Sequence, residues 1–303
     1  MKTKDKIPCS PQAKVYKNDM TTMILDGRAL AKELREELRQ HVQQFVAQVD
    51  TPPALTVVRV HGDPSSERYL RTIQKSCDDL GMAFCAKLLH NNATQEMLEY
   101  TVRSVSADDT VDAVLLHLPL PPGFDARAAI NQLDPHKDVD GVHPQNAGLL
   151  SQERPRFVPN TPAGGMELLK RNGIELYGKR ITVIGRSNVV GKPMALLLMQ
   201  EDATVTICHR ATADLASAVR GAEIVITAAG APGLITADMV SPGVTIIDFG
   251  INVLEDGSVV GDVDFAGVMP LAAAITPVPG GTGPVTNVML LRNVLWAAQL
   301  RRA

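Results

Sequence analysis

The stretch ITVIGRSNVVGKPMALLLM, residues 181–199, decides the fold. Apolar and β-branched residues lead into Gly185, a polar run follows, and Gly191 and Pro193 open a segment with helical spacing. Strand, tight turn and helix in that order leave backbone N–H groups free at the helix start, where a pyrophosphate can be bound. The pattern is not G-x-G-x-x-G, because Ser187 replaces the middle glycine and Gly191 comes one residue late. A plain strand-to-helix turn uses the same residues, so the strands around it carry more of the decision.

Downstream, ATVTIC, EIVITAAG and VTIIDFG read as further buried strands with helices between them. The second strand ends TICHRAT, where an NAD-binding unit often places an acidic residue for the ribose hydroxyls. His209 and Arg210 stand there instead, with Arg186 in the first turn. Cations without a carboxylate suit a 2′-phosphate, each charge-assisted hydrogen bond contributing roughly 1.5–3 kcal/mol. The expected cofactor is therefore NADP; the competing reading makes Arg210 a solvated surface charge.

Upstream, helix-like and strand-like segments also alternate. ALAKELREELRQHVQQFV sets Leu30, Leu34, Leu38, Val42, Phe45 and Val46 on one helical stripe. The strand ALTVVRV (54–60) follows, then a helix over 65–81, capped by Ser65 or Ser66 and ended by Gly81. FCAKLL, a helix from near Thr94, the strand AVLLHLPL and a short helix around 125–132 complete this half. Residues 133–160 are rich in Pro, His, Asn and Gly and lack periodicity, which predicts a functional or connecting loop. Thr161-Pro162 predicts a helix start and Asn172-Gly173 a stop. The last segment, VTNVMLLRNVLWAAQLRR, is an apolar helix with a basic end that suits the macrodipole. The fold class is α/β with mostly parallel sheets in two domains, the second Rossmann-like.

The 303 residues carry a net charge of −3, a balance that argues against a nucleic-acid binder. No apolar run reaches transmembrane length, and the first twenty residues lack the apolar core of a signal peptide. Residues 1–22 read as a flexible tail, with Met20 or Met23 as alternative starts. Cys9, Cys77, Cys85 and Cys208 have no metal spacing and suggest reduced thiols in a cytoplasm, with no metal site.

Several strings now combine: ILDGRALA, PHKDVDGVHPQNAGLL, PNTPAGGMELL, VIGRSNVVGKPMALLL, GDVDF and ITPVPGGTGPVT, in this order. Together they resemble the bifunctional methylenetetrahydrofolate dehydrogenase/cyclohydrolase family, from about residue 23 to the C-terminus. The resemblance implies an N-terminal folate-binding catalytic domain over 23–158, rejoined by the final helix at 284–303, and an NADP-binding domain over 159–283. It implies a homodimer, a cleft between the domains, and tetrahydrofolate one-carbon derivatives as substrates. Tyr69 matches a tyrosine packing along the folate, and Asp140 an aspartate bonded to the pterin edge. Pro279, Gly280 and Gly281 match a turn that approaches the ligand closely, and Thr286 a further substrate contact. Gly185, Arg186, Ser187, Gly191, His209, Arg210, Gly230 and Ile251 match the cofactor site. Each also has a plainer role as a helix anchor, a turn former or a surface charge.

Three positions depart from the family pattern. Its acid/base lysine falls four residues after the tyrosine, and that position here is Ile73. Lys75 is two residues further on, about 200° around the helix. His117 stands where the family usually has the glutamine that bonds the lysine, and Asn160 where cysteine is common. Hydride transfer from the methylene carbon needs no proton from a side chain, whereas hydrolysis of the methenyl cation moves protons. Loss of a general acid/base typically costs about 10²–10⁴-fold in rate. The expectation is an NADP-dependent dehydrogenase with weak or lost cyclohydrolase activity. The alternatives are a fully bifunctional enzyme using His117 or water, a folate-binding pseudoenzyme, and a similar dehydrogenase with another substrate.

Overall fold

The computed structural model describes residues 21–61, 64–90 and 92–302. Apart from 21 and 22, the expected tail lies outside the described residues, as do Cys9 and the side chains of Ser65 and Ser66.

The chain begins with β1 (Met23–Ile24) and α1 (Gly27–Val49). Asp26 caps α1, its carboxylate accepting from the N–H groups of Arg28 at 2.9 Å and Ala29 at 3.1 Å. Of the apolar stripe read from the sequence, Leu30, Leu34, Leu38, Val42 and Phe45 are buried on α1 and Val46 is half-buried. A three-stranded parallel sheet follows from β2 (Ala54–Val60), α2 (Pro64–Leu80), β3 (Ala83–Leu89), α3 (Gln95–Ala107) and β4 (Ala113–Leu116), in strand order β3-β2-β4. Helix α3 begins where expected, near Thr94, which caps it. The strand expected over 113–120 stops at Leu116, because Pro119 and Pro121 have no N–H to continue a ladder.

After α4 (Ala126–Ile130), the segment read as a long loop contains a helix, α5 (Pro144–Ser151). His143 caps it, accepting from Gln145 N at 3.1 Å, and Pro144 sits at its first position. The next helix, α6 (Asn160–Arg171), starts one residue before the predicted Thr161 and has no side-chain cap.

The second half runs through β5 (Arg180–Ile184), α7 (Gly191–Gln200), β6 (Thr204–Cys208), α8 (Leu215–Arg220), β7 (Ile224–Thr227) and β8 (Val244–Asp248). A small hairpin of β9 (Asn252–Val253) and β10 (Val259–Val260), then α9 (Phe265–Val268) and β11 (Ala272–Ile275), precede the final helix α10 (Thr282–Arg302). The larger sheet has the order β1-β11-β8-β7-β5-β6 and is parallel throughout. Met23–Ile24 thus pairs with Ala274–Ile275, far along the chain. β6 and β7 flank β5 on opposite sides, so the strand order reverses at β5, where such sheets bind ligands beyond their carboxyl ends.

Helix α10 is apolar almost all round because it lies between α1 and α6 and touches β2, β4 and α2. Its end is fastened by Arg302, whose Nε donates to Asp112 Oδ1 at 2.8 Å and Nη1 to Thr51 Oγ1 at 2.6 Å. Asp112 itself is completely buried.

Candidate active site

The carboxyl ends of β5, β6 and β7 open on a cavity of about 820 Å³. Gly185, Arg186, Ser187, His209 and Arg210, all chosen from the sequence, line it. Thr212, Leu215 and Leu234 line it too and were missed, since nothing in their local sequence marks them. Gly185 has φ +120°, and a Cβ there would stand 2.3 Å from Ala228 O, so glycine is required by conformation and by space. Ser187 organises the turn: its Oγ accepts from Val190 N at 3.1 Å. Gly191 starts α7 beneath the turn and is buried. Arg186 and Arg210 are exposed at the rim, while His209 Nδ1 accepts from Ala211 N at 3.2 Å.

Gly230 lies on the loop after β7, and two buried carboxylates absent from the predicted set shape that loop. Asp262, fully buried, accepts from the N–H groups of Ala229 at 2.7 Å, Gly230 at 3.2 Å and Ala231 at 2.9 Å. Asp248 accepts from Thr227 Oγ1 at 2.8 Å, Gly250 N at 2.7 Å and Val263 N at 3.0 Å. Burial pushes the Asp248 carboxyl up, against these bonds. The signal for Asp262 was the string GDVDF, in which it is the first aspartate.

Ile251 is not at this cavity. It lines a separate one of about 250 Å³ with Arg28, Pro279, Gly280 and Gly281. The turn at 279–281 packs on the start of α1 so closely that a Cβ on Gly27 would stand 1.6 Å from Gly281 O. Thr286, one turn into α10, donates its hydroxyl to Thr282 O at 3.1 Å.

A third cluster gathers Tyr69, His117 and Asp140. The Tyr69 and His117 rings meet at a tilt, 5.5 Å between centroids. His117 follows β4, with its N–H on Val58 O at 2.9 Å, and is buried. Asp140 is half-buried and its carboxyl is pushed up to about 6, first by burial, then by the charge of Asp138, against a hydrogen bond from Asn160. Burial and then the Asp140 charge raise the Tyr69 phenol, a push that solvent moderates because 38% of Tyr69 stays exposed. Asp138 is buried, and its Oδ2 accepts from His143 N and Asn146 Nδ2, both at 2.8 Å.

Ile73, one turn along α2 from Tyr69, is wholly buried among the core hydrocarbons and presents no open surface. Lys75 is exposed on another side of the helix. Among the described residues no group of His, Cys, Asp and Glu is placed to hold a metal ion.

A parallel sheet with a phosphate-type turn at its switch point, beside a second cluster of polar side chains, defines a two-domain nucleotide-binding α/β protein. Family models sharpen this: residues 25–140 match the catalytic domain of tetrahydrofolate dehydrogenase/cyclohydrolase, and residues 159–302 its NAD(P)-binding domain. The chain is 66% identical over 282 residues to the bifunctional protein FolD of Roseiflexus castenholzii, covering 93% of this chain and 98% of that one. The crystal structure of the bifunctional enzyme FolD from Campylobacter jejuni superposes with a TM-score of 0.89 at 41% identity, covering 92% and 99% of the two chains. The Trypanosoma brucei dehydrogenase-cyclohydrolase, solved with NADP cofactor and inhibitor, gives 0.88 at 38%, covering 93% and 99%. The chain belongs to the tetrahydrofolate dehydrogenase/cyclohydrolase family.

Proposed function

We propose that this protein is an NADP-dependent 5,10-methylenetetrahydrofolate dehydrogenase whose cyclohydrolase activity is weak or lost. The observation that carries the proposal is Ile73: the position four residues after Tyr69 holds a hydrocarbon sealed in the core, and the nearby Lys75 is exposed elsewhere on the helix. The residues around the 820 Å³ cavity fit a dinucleotide, with a glycine turn for the pyrophosphate and cations beyond β6 for a 2′-phosphate. NADP bound in the Trypanosoma brucei relative supports that choice.

A bound dinucleotide would supply, in its nicotinamide, the acceptor for a hydride from the methylene carbon of the substrate. The protein's part is placement. The turn at 185–191 and Arg210 hold the dinucleotide, Tyr69 lies along the pterin, and the Asp140 carboxylate accepts from the pterin's N–H edge. The product is a delocalised cation, so no side chain needs to take a proton in this step. Its hydrolysis adds water and opens the ring, which requires proton traffic that Ile73 cannot carry. Absence of an ammonium here also spares the cationic product a like charge.

The contact between the Tyr69 and His117 rings favours one alternative, a fully bifunctional enzyme in which His117 moves the protons. The Roseiflexus castenholzii relative, a bifunctional protein FolD, agrees with that alternative. We further propose a homodimer in the cytoplasm; the described cysteines, all unpaired, suit a reducing compartment.

Purified protein mixed with methylenetetrahydrofolate and NADP⁺ decides between the two, with methenyl and 10-formyl products followed separately by absorbance. Methenyl build-up that decays no faster than the buffer blank is expected. Rapid enzyme-dependent 10-formyltetrahydrofolate shows the bifunctional enzyme instead. Repeating the assay with NAD⁺ and with Arg210→Asp tests the cofactor, since an unchanged NADP/NAD preference would remove Arg210 from the site.

A further inference from the structure

We infer that Asn160 is a positioning residue that orients the Asp140 carboxylate toward the substrate; this deepens the proposed function and rests on Asp140 meeting the pterin edge. Asn160 opens α6 and is 4% exposed. Its Nδ2 donates to Asp140 Oδ1 at 2.8 Å. Its Oδ1 accepts from Asn293 Nδ2 at 2.9 Å. The same Asn293 amide group reaches Val139 O at 2.9 Å and Val158 O at 3.0 Å.

The direction of every bond in this chain is fixed by two backbone carbonyls. They only accept, so Asn293 must turn its NH₂ toward them, and one of its two hydrogens is shared with Asn160. Asn160 must then meet Asn293 with its carbonyl, which leaves its own NH₂ facing Asp140. Neither amide can flip without setting acceptor against acceptor. The result is a fixed donor on one oxygen of Asp140, while the other oxygen accepts no hydrogen bond among the described residues.

Electrically, the Asn160 amide is neutral but favours the ionised form of Asp140 through its one hydrogen bond. The neighbouring Asp138 disfavours a charge on Asp140, and Ile73 offers none to balance it. A cysteine at position 160 has only a weak S–H donor and a poor acceptor for Asn293. The hydrogen bond from the Asn160 amide thus holds one oxygen of Asp140 and favours the carboxylate that binds substrate.

Three variants separate positioning from plain support. Asn160→Asp keeps an acceptor for Asn293 but loses the donor; Asn160→Leu loses both; Asn160→Cys keeps a small side chain of a type the family accommodates, should the others fail to fold. Loss of a hydrogen bond to a charged group predicts a rise of about 10-fold or more in KM for methylenetetrahydrofolate in the Asp and Leu variants. The rise with Cys should be smaller, and KM for NADP⁺ should stay within about two-fold of the parent throughout. If the Asp variant, or the Cys variant where Asp does not fold, keeps the parental folate KM, Asn160 is only a strut and the inference is overturned. Asp140→Asn is the control for the underlying reading. An unchanged folate KM there removes Asp140 from the pterin and both ideas fall, whereas a raised KM with inert Asn160 variants sinks the Asn160 role alone.

Discussion

Asp140 ties stability to binding at the level of one side chain. Its carboxyl titrates near 3.8 when free and is pushed up to about 6 in the fold, chiefly by burial. Between those values the native state holds a proton that the unfolded chain has released. Stability therefore falls as pH rises through that window, and the penalty persists above it. Asp140→Asn should recover about 1–2 kcal/mol at pH 7.5, a figure reduced for the carboxylate's open side, and nothing at pH 4. Urea melts at the two pH values measure this. On the proposed contact with the pterin, the same variant should lose the acid limb near pH 6 in folate binding, because only the ionised form would accept from the pterin N–H groups. A variant no more stable at pH 7.5 than the parent would show that solvent, rather than protein, surrounds this carboxylate.

At the scale of elements, the turn at 279–281 and the start of α1 behave as one unit. Gly27 admits Gly281 O into the space a side chain would fill, and Gly280 has φ +115°. Gly27→Ala cannot be accommodated without moving the turn. We expect a loss of about 2–3 kcal/mol in stability and a folate KM raised well beyond any change for NADP⁺. A variant with parental melting and parental KM values would mean that the turn moves without consequence. The strings holding these glycines, ILDGRALA and ITPVPGGTGPVT, were both conspicuous in the sequence, but their contact joins residues some 250 apart and no local pattern announces it. Helix α5 was hidden for a related reason. Its eight residues are too few for a periodicity to stand out, and only His143 and Pro144 mark its start.

Across the whole molecule, α10 returns the end of the chain to the first sheet. Arg302 pairs with a carboxylate that has no exposure at all, beside the N–H of Ala54 at 2.8 Å from that carboxylate. Removing that cation leaves the buried charge to Arg301, whose Nε stands 3.7 Å from it, and to the Ala54 N–H, so Arg302→Ala should cost about 2 kcal/mol while both KM values stay as they were. Urea midpoints and initial rates check the two halves of that statement. A basic end on the last helix was legible in sequence as a match to the helix dipole. The partner that gives it most of its value, Asp112, lies 190 residues away.

The sequence by itself determined the α/β class, most of the elements and the glycine turn after β5, because each rests on residue type and short-range spacing. Gly185, Ser187, His209 and Arg210 were readable for that reason, and they do line one cavity. Only the tertiary structure decided which residues meet. It set Ile251 beside the turn at 279–281, sealed Ile73 in the core, gave the loop after β7 to Asp262, and turned Asn160 toward Asp140. Such pairings depend on parallel strands and packed helices bringing distant segments within hydrogen-bond range, and nothing in a residue's neighbours along the chain encodes that distance.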